Sequence, residues 1–486
     1  MSFILHPAAD NSSTREKNFF LPDTRKKLRA AICFLCVFFL TGQTAGHAQK
    51  TVKKQSPNIV FILVDDMGYG ECGFNGGKEI ATPVIDRLAK EGTILENSYV
   101  QPVCSPTRAA LLTGRYPTRT GVYSVVPPGA RWGLPLTEHT IAEALHAKGY
   151  FTAITGKWHL GESEKAYLPM ERGFDHQYGF YFGNIDYFTH QRDHKPDWYR
   201  NEVPLSEEGY STHLIAKEAC QIIETADQKK PFFLYIPFNG IHAPYQVPDK
   251  YMTPYPQLKG NRQKLAGMLA AVDEAIDQIV GSINKAGIRN NTLIVFLSDN
   301  GAPPPGVNLP LRDFKGSVYE GGIRGACFVN WPGHIASGKK ITEPMHVIDW
   351  YPTLLRLAGG KPDQKAQIDG KDIWPMITKS TPSPHDAILS VSNHGPNESA
   401  IRMGDWKLIA LGADENGKQK KPSEKQIAKY GWVSLYNLAT DPGENHNLAQ
   451  TYPDKVNTMR KRLAEMLKNA VPPGSKGETS GKESEE

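Results

Sequence analysis

From Pro57 onward, short continuous apolar runs alternate along the chain with longer stretches whose apolar residues recur at helical spacing. The run from Asn58 to Val64 is apolar and rich in β-branched residues, which is typical of a strand buried on both faces. The same pattern predicts further strands at 151–155, 231–236 and 292–297. Because strands that alternate with helices favour a mostly parallel sheet covered on both faces, we expect a large α/β domain.

The helical stretches are bounded by residues that begin and end helices. Thr82 and Pro83 are suited to the N-cap and the first turn of a helix, and Gly92 is suited to its end. Two further helices are predicted at 137–148 and 261–286, each followed directly by a glycine. These helices lie between the predicted strands, as the layers of an α/β domain require.

After about residue 380 the pattern changes to short strands of the antiparallel type. Residues 399–403 and 406–410 read as two strands joined by a turn at Gly404 and Asp405, followed by a third strand at 433–438 and a helix at 453–469. We therefore predict a main α/β domain over 55–380 and a smaller α+β subdomain over 381–471. Residues 472–486 are rich in Gly, Ser, Lys and Glu, which predicts a disordered tail.

The first 48 residues have the pattern of an export signal. Four basic residues between Arg25 and Arg29 precede an apolar run from Ala30 to Leu40, which is followed by small residues up to Ala48. This pattern predicts a signal peptide over 1–48 and a periplasmic or extracellular protein. The run is short for a membrane span, although a retained N-terminal anchor is the alternative. No later run is long enough, so no span is expected in the mature protein.

Composition and cysteine spacing narrow the chemistry. The 486 residues are 40% hydrophobic and 22% charged, with a formal charge of +5, which is typical of a soluble globular protein and gives no argument for nucleic acid binding. Outside the signal segment the cysteines are Cys72, Cys104, Cys220 and Cys327. They form no C-x-x-C pair and have no histidine at zinc-ligand spacing, which argues against a zinc site. Disulfides between them are possible, but the spacing does not require any.

Two of the predicted strands end in acidic residues. The first runs into Asp65 and Asp66, and the strand at 292–297 runs into Ser298-Asp299-Asn300-Gly301. In an open α/β sheet, ligands bind beyond the carboxyl ends of the strands, where these side chains would meet. Three carboxylates and an amide together would need a cation, and an all-oxygen set favours Ca²⁺ or Mg²⁺. Each pair alone could be a polar turn, but both at equivalent strand ends favour a metal site.

The segment Cys104-Ser105-Pro106-Thr107-Arg108 reads as the beginning of a helix that ends at Gly114. We expect Ser105 at the N-cap and Pro106 at the first helical position. Cys104 would then lie just ahead of a helix N-terminus, where the helix dipole favours an anion, and Arg108 would approach the same point. Taken alone, a single cysteine before a helix is most often a structural or free thiol.

This segment and five others resemble the signature motifs of the sulfatase family. Cys104 to Arg115 resembles the C-x-P-x-R signature with its T-G-R extension. The remaining motifs follow in family order: Asn58 to Asp66, Gly156-Lys157-Trp158-His159-Leu160-Gly161, His242-Ala243-Pro244, Ser298 to Gly301, and Lys315 with Glu320-Gly321-Gly322-Ile323-Arg324. The resemblance covers roughly residues 57 to 450, and six ordered motifs are very unlikely to coincide by chance. It implies an alkaline-phosphatase-like fold and a sulfuric ester hydrolase.

The resemblance also implies a modified nucleophile and a metal ion. A maturation enzyme would oxidise Cys104 to formylglycine, whose aldehyde hydrates to a geminal diol. One Ca²⁺ would be bound by Asp65, Asp66, Asp299, Asn300 and the modified Cys104. Magnesium stays open as the alternative ion. Sulfate oxygens would be bound by Arg108, Lys157 and Lys315.

The catalytic steps follow from the same resemblance. One diol oxygen would attack sulfur, and His242, with Lys315, would protonate the leaving alcohol. His159 would then deprotonate the second hydroxyl, which expels sulfate and restores the aldehyde. A serine sulfate has no second hydroxyl, so serine would be a poor substitute.

Histidines outside the motifs are expected to be solvated surface groups: His139, His146, His213, His334 and His385.

Within the family, the segments 168–175, 183–190 and 311–325 are most similar to the arylsulfatase B (N-acetylgalactosamine-4-sulfatase) type and to bacterial polysaccharide sulfatases. A sulfated polysaccharide or glycosaminoglycan-type sugar is therefore the expected substrate. Candidate substrate-binding residues, with solvated loop residues as an equally good interpretation, are His190, Arg192, His194, Asn308 and Arg312. Two other functions stay open at this point: a phosphonate or phosphate ester hydrolase of the same superfamily, and a non-catalytic binder of sulfated glycans.

Overall fold

The strands of this computed structural model occur in two groups, separated along the chain at about residue 380. The structure describes residues 56–362, 367–411 and 433–474. In chain order the strands are β1 (Asn58–Val64), β2 (Thr93–Leu95), β3 (Ser98–Tyr99), β4 (Phe151–Lys157), β5 (His176–Phe180), β6 (Gln191–Arg192), β7 (Lys195–Pro196), β8 (Tyr199–Arg200), β9 (Val203–Pro204), β10 (Phe232–Pro237), β11 (Thr292–Ser298), β12 (Cys327–Asn330), β13 (Lys339–Ile341), β14 (Met345–His346), β15 (Ile388–Ser392), β16 (Gly395–Met403), β17 (Trp406–Leu411) and β18 (Val433–Asn437).

The main sheet has the strand order β13-β2-β12-β11-β1-β10-β4-β5-β8-β9 in the described part of the chain. Its centre, from β11 to β5, is parallel, whereas β12 and β8 are antiparallel to their neighbours. All four strands predicted from apolar runs lie in this parallel centre. The predicted mixed, mostly parallel sheet is confirmed.

Helices cover both faces of this sheet. In the described residues the helices are α1 (Pro83–Glu91), α2 (Cys104–Thr113), α3 (Pro117–Thr120), α4 (Ile141–His146), α5 (Ser211–Thr225), α6 (Asp249–Met252), α7 (Gly260–Lys285), α8 (Glu320–Ile323), α9 (Trp350–Leu357), α10 (Trp374–Lys379) and α11 (Pro453–Leu467), of which α11 packs on the small sheet described below. Alternate residues of β1 enter different cores: Phe61 packs in one that includes α2, α4 and α9, and Ile62 in one that includes α1, α5 and α7. The continuous apolar run of β1 is explained by this burial on both sides.

The second sheet is small and antiparallel, in the order β15-β16-β17-β18. Its inward residues Ile401, Leu408 and Leu435 belong to the same apolar core as α2 and α9. The predicted turn is present between β16 and β17, where Gly404 has a φ of 58° that favours glycine. This smaller sheet therefore packs against one helical layer of the main sheet, while the predicted boundary at residue 380 stays a prediction.

Two local predictions were wrong in detail. The helix expected at 137–148 is shorter, Ile141–His146, because Thr140 caps it through a reciprocal pair of hydrogen bonds with Glu143. Ser105 is not an N-cap, since Cys104 is already the first helical residue and Val103 precedes it in an extended conformation. The predicted end of this helix at Gly114, with a φ of 69°, is correct.

The histidines outside the motifs are not all solvated. His146 and His334 are exposed, whereas His139 and His213 are half-buried. His385 is a clear correction, because its side chain is only 6% exposed and its Nε2 lies 2.7 Å from Asp349 Oδ1.

The cysteines of the described residues, Cys72, Cys104, Cys220 and Cys327, are all free thiols. No helix in the described ranges is both long and apolar enough to cross a membrane. The predicted signal peptide, 1–48, and residues 475–486 of the predicted tail lie outside the described residues.

Candidate active site

The acidic strand ends meet at one edge of the main sheet. β1 and β11 pair in parallel with Val64 opposite Ser298, so the next residues, Asp65 and Asp299, leave the sheet side by side. The backbone N–H of Asp66 donates to Asp299 Oδ1 at 3.1 Å, which ties the two strand ends together. Asp66 has a φ of 59°, an uncommon value for a residue with a side chain. The sequence prediction that these carboxylates lie close together is correct.

Helix α2 begins at the same edge and carries Cys104 in its first turn. Cys104 is 2% exposed, and Arg108, one turn later, is fully buried. Instead of capping the helix, Ser105 donates its hydroxyl to His159 O at 2.8 Å and accepts from Val126 N. Ser105 therefore links the helix N-terminus to the His159 segment. Burial raises the pKa of the Cys104 thiol, so as a cysteine this residue stays protonated.

Three basic side chains pair with the carboxylates. Lys157 Nζ lies 2.5 Å from Asp65 Oδ2, and Lys315 Nζ lies 2.6 Å from Asp66 Oδ1. Arg108 reaches two of the acids, with its Nη2 2.9 Å from Asp299 Oδ2 and 3.6 Å from Asp65 Oδ2. The predicted sulfate-binding residues are thus brought together around the strand ends.

The electrostatic environment separates Asp65 from Asp299. For Asp65, burial opposes ionisation, but Lys157, His242 and Arg108 outweigh it and lower its pKa. For Asp299, burial and the charge of Asp65 dominate and raise its pKa to about 7. Two neighbouring buried carboxylates repel each other. The pair of Asp65 and Asp299 therefore carries less than its full negative charge unless further positive charge is supplied.

The donor set fits a hard metal ion. Asp65 Oδ1 and Asn300 Oδ1 are buried oxygens with no hydrogen-bond partner among the described residues. Single ligand atoms of Asp65, Asp66 and His242 lie within 4.8 Å of one another. Unpaired buried oxygens are costly, and oxygen donors of this kind are the ligands that Ca²⁺ and Mg²⁺ prefer. A cation between the strand ends would pair these oxygens and offset the charge that raises the pKa of Asp299.

His159 has one ring nitrogen directed at residue 104. Its Nδ1 lies 3.3 Å from Cys104 Sγ, while its Nε2 lies 3.2 Å from the carbonyl oxygen of Val126. Because a carbonyl only accepts, Nε2 carries the hydrogen and Nδ1 has a free lone pair. Burial, with the charge of Lys157, lowers the pKa of His159 well below its ordinary value. The imidazole is therefore neutral, with its basic atom facing residue 104.

His242 lies on the other side of the acids. Its Nδ1 donates to the carbonyl of Ala243 at 2.5 Å, which leaves Nε2 facing the site, 3.5 Å from Asp66 Oδ2. Burial lowers its pKa. The side chain is 19% exposed, whereas His159 is 5% exposed, so His242 is the more accessible of the two from solvent. Two histidines with different access thus flank residue 104 and the acids.

Comparisons with known proteins agree with this geometry. A model of the Sulfatase family matches residues 57–360. Arylsulfatase J of Mus musculus is 36% identical over 471 residues, which cover 88% of this chain and 77% of that protein. N-acetylgalactosamine-6-sulfatase of Mus musculus is 35% identical, with 86% of this chain and 87% of that protein covered. The chain belongs to the sulfatase family.

A solved structure supports the same assignment. Ps i-CgsB in complex with k-i-k-neocarrahexaose matches with a TM-score of 0.79 at 34% identity, over 86% of this chain and 94% of that chain. The resemblance found in six sequence motifs is therefore confirmed, and so is the prediction of a sulfuric ester hydrolase.

Two of the candidate substrate-binding residues of this sulfatase lie in its interior. His190 is 3% exposed, stacks on Trp198 with ring centroids 4.5 Å apart, and bonds to Gly209 O. Asn308, also 3% exposed, uses its amide to bond both backbone groups of Ala302. These contacts give both residues a packing role, and their binding of substrate stays a prediction.

The remaining candidates lie at the surface. His194 is exposed, and Arg312 stacks on Tyr319, with its guanidinium carbon 4.1 Å from the ring centroid. Arg192 bonds to the side-chain oxygen of Asn184, and both line a cavity of about 480 Å³ that also borders Ala243, the residue after the second active-site histidine. Arg192 is therefore the candidate that this structure places beside the sulfatase active site.

Sequence reasoning missed two residues that fix the histidines. Tyr187 donates its hydroxyl to His242 O at 2.7 Å, which braces the His242 turn. Gly183 packs on His159 so closely that a Cβ there would lie 2.7 Å from the ring. Both fall within the 183–190 segment quoted for its likeness to arylsulfatase B, but only the folded chain brings that segment against the histidines.

Proposed function

We propose that this protein is a calcium-dependent sulfatase whose nucleophile is formylglycine made from Cys104. The observation that carries the proposal is the setting of Cys104: the first turn of a buried helix, three basic side chains, and two unpaired buried oxygens at one sheet edge. An ordinary structural cysteine has no need of such surroundings. An anionic sulfate group and a metal-bound modified residue do.

The residues that would bind the ion are Asp65, Asp66, Asp299, Asn300 and the modified residue 104. The ion would supply positive charge that favours ionisation of the nucleophilic hydroxyl. Arg108, Lys157 and Lys315 would bind the sulfate oxygens, and their pairing with the carboxylates already fixes their direction. Arg108 and Lys157 are fully buried and Lys315 is 17% exposed, so their charges act largely out of water, where electrostatic contacts are strong.

We assign the two histidines different steps, and their geometry supports this assignment. Attack of one hydroxyl of hydrated formylglycine, in its ionised form, on sulfur forms an S–O bond to residue 104 and breaks the S–O bond to the departing alkoxide. His242, the accessible histidine, with Lys315, would give the departing alcohol its proton. His159, with its free Nδ1 lone pair toward residue 104, would take the proton of the second hydroxyl. The C–O bond to sulfate then breaks, the aldehyde forms again, and water rehydrates it.

The expected substrate is a sulfated polysaccharide or glycosaminoglycan-type sugar. Support comes from what related proteins act on or bind, since one relative is named for N-acetylgalactosamine 6-sulfate and one solved structure contains a neocarrahexaose. The cavity beside Arg192 and Asn184 offers polar groups that could bind sugar hydroxyls next to the sulfate. The proposal includes export by the predicted signal peptide and conversion of Cys104 by a maturation enzyme, in keeping with an extracellular glycan.

The test is a sulfate-release screen over defined sulfated glycans and para-nitrophenyl sulfate, with protein co-expressed with a maturation enzyme. Mass spectrometry of the Cys104 peptide should show formylglycine, and Cys104→Ser should lower kcat at least about 1000-fold. A chelator should abolish release, and added Ca²⁺ should restore it. An unmodified thiol in fully active protein would contradict the mechanism. Faster release of phosphate from para-nitrophenyl phosphate would contradict the assignment to sulfate esters.

A further inference from the structure

The motif Glu320-Gly321-Gly322-Ile323-Arg324 has no role in the chemistry above, although it begins only five residues after Lys315. The segment 312–320, here called the Lys315 loop, connects this motif to the active site. Its surroundings include residues of the small antiparallel sheet and the turn after it, which contribute nothing to the metal or sulfate sites.

The Lys315 loop is folded directly onto the glycines of the motif. Gly321 N donates to Arg312 O at 2.7 Å, and a Cβ on Gly321 would lie 2.3 Å from that same oxygen. A Cβ on Gly322 would lie 2.1 Å from Ser317 O. Gly322 O in turn accepts from Gly301 N, beside the metal-site residue Asn300. With no space between these backbones, the position of Glu320 and its two glycines determines the position of the loop.

Glu444, in the turn after β18, contacts both ends of this loop. Its Oε2 accepts from the backbone N–H of Glu320 at 2.7 Å, and its backbone oxygen accepts from Arg312 Nη1 at 2.6 Å. Lys315 lies between these two attachment points. Its Nζ, 2.6 Å from Asp66 Oδ1, is therefore at the centre of a segment held at each end by one residue of the other subdomain.

Lys407 of β17 completes the attachment. Its Nζ lies 2.9 Å from Glu320 Oε1 and 2.8 Å from Glu444 Oε1. Glu320 and Glu444 are fully buried and Lys407 is 1% exposed, so water cannot replace these contacts. Tyr99 and Arg324 also contact the Glu320 carboxylate, which adds donors from the main domain. A buried charge left without its partner is strongly unfavourable, so the arrangement resists displacement.

We propose that Glu444 and Lys407 are positioning residues for Lys315: the small sheet holds the Lys315 loop at both ends and so fixes the lysine that binds sulfate and assists the leaving group. This proposal rests on the proposed function of Lys315. Neither residue touches substrate. A displacement of about 1 Å in a catalytic group can cost about 100-fold in rate, so an attachment at this distance from the chemistry is expected to affect turnover.

The test is a double-mutant cycle in kcat/KM, on the substrate that the wild-type protein cleaves fastest in the screen above. Lys315→Ala should lower kcat/KM by about 100-fold and Glu444→Gln by about 10-fold. Because Glu444 acts through Lys315, the double variant should be no slower than Lys315→Ala alone. A further tenfold loss in the double variant would show that Glu444 acts elsewhere and would overturn the proposal.

Arg312→Ala provides a second variant that leaves the buried carboxylates and Lys407 intact. Its loss, about threefold, should also disappear in the Lys315→Ala background. A loss that persists there would point to direct substrate binding by Arg312 and would contradict its positioning role. Arg462→Ala is the matched control, since Arg462 pairs with Asp386 at the surface of α11 and should leave kcat/KM within about twofold in both backgrounds.

The double-mutant cycle of Glu444→Gln and Lys315→Ala can also be measured without turnover. The quantity measured is then the Kd for inorganic sulfate, determined by calorimetry. Glu444→Gln should weaken sulfate binding only when Lys315 is present; equal weakening in both backgrounds would overturn the proposal. Absence of sulfate release by wild-type protein with confirmed formylglycine would refute the proposed function, whereas independent losses in an active enzyme refute only the positioning of Lys315.

Discussion

Two buried clusters of charge lie on either side of the Lys315 loop, and they are built for different purposes. At the sheet edge, three carboxylates are crowded together, and two buried oxygens, of Asp65 and Asn300, have no partner in the described chain. Beyond the loop, Glu320 and Glu444 share the amino group of Lys407 at 2.9 and 2.8 Å. In the first cluster two oxygens lack a hydrogen-bond partner among the described residues, whereas in the second each carboxylate contacts the amino group of Lys407.

The difference shows how burial can serve binding in one place and stability in another. Burial and a neighbouring carboxylate raise the pKa of Asp299 to about 7, which means that its ionised form opposes folding until a cation is bound. Burial of Lys407 between two acids instead makes each of the three depend on the others. We therefore expect substitutions in the first cluster to change activity more than stability, and substitutions in the second to do the reverse.

The largest expected effect is at Asp299. Asp299→Asn should lower kcat at least about 100-fold, because one oxygen ligand and one negative charge of the metal site are lost. In the presence of a chelator, the free energy of unfolding should change by less than about 1 kcal/mol, because a carboxylate that opposed folding has been removed. Activity assays and urea unfolding would measure both. A large loss of stability with nearly normal activity would contradict the expectation that the active-site cluster serves binding rather than stability.

Lys407→Met should lower stability more than it lowers activity. It leaves two buried carboxylates without their shared cation, and we expect a loss of about 3–5 kcal/mol in the free energy of unfolding. The folded fraction should keep kcat within about tenfold of wild type, since no ligand of substrate or metal is removed. Arg462→Ala, which breaks an exposed pair, should cost less than about 1 kcal/mol in the same urea titration. Equal losses in the two variants would contradict the role of burial.

The smallest effect concerns a single buried pair outside both clusters. Burial opposes charging of His385, but the adjacent Asp349 outweighs it and raises the pKa of His385 above its ordinary value of 6.5. The resulting stabilisation should be complete below pH 6.5 and lost as the pH rises through the higher pKa of the folded protein. In thermal unfolding, His385→Gln should be less stable by about 1–2 kcal/mol at pH 6, and the difference should shrink toward pH 9. A difference that grows with pH would mean that the pair does not depend on a charged histidine.

Much of the fold could be predicted because burial on both faces of a sheet leaves a local signature. β1, β10 and β11 are continuous apolar runs, and the prediction located each of them to within one residue. The helix at 141–146 was predicted too long because periodicity extends past the residue that caps it, and capping by Thr140 depends on its contact with Glu143. Short strands such as β6 and β8 were not predicted, since two-residue pairings have no period of their own.

The active site, like the fold, could be predicted only in part. Cys104, Arg108, Lys157, His159, His242 and Lys315 each fall in a motif, and the structure brings all six to one sheet edge. His190 and Asn308 were candidates for substrate binding because polar groups beside the metal could bind hydroxyls or further sulfates, and the fold buries both. Residue type alone does not determine whether a polar side chain faces a ligand or the interior.

The sequence by itself therefore determined the family, the mostly parallel sheet and the residues proposed to carry the chemistry, because strands and motifs are encoded in neighbouring positions. Only the tertiary structure decided which oxygens lack a partner, which nitrogen of His159 faces residue 104, and how Glu444 and Lys407 contact the Lys315 loop. The contacts of His159 with Cys104, and of Glu444 and Lys407 with the Lys315 loop, join residues 55 to 132 positions apart. Their energies depend on distance and on exclusion of water, which are set when the chain folds and are not written in local sequence.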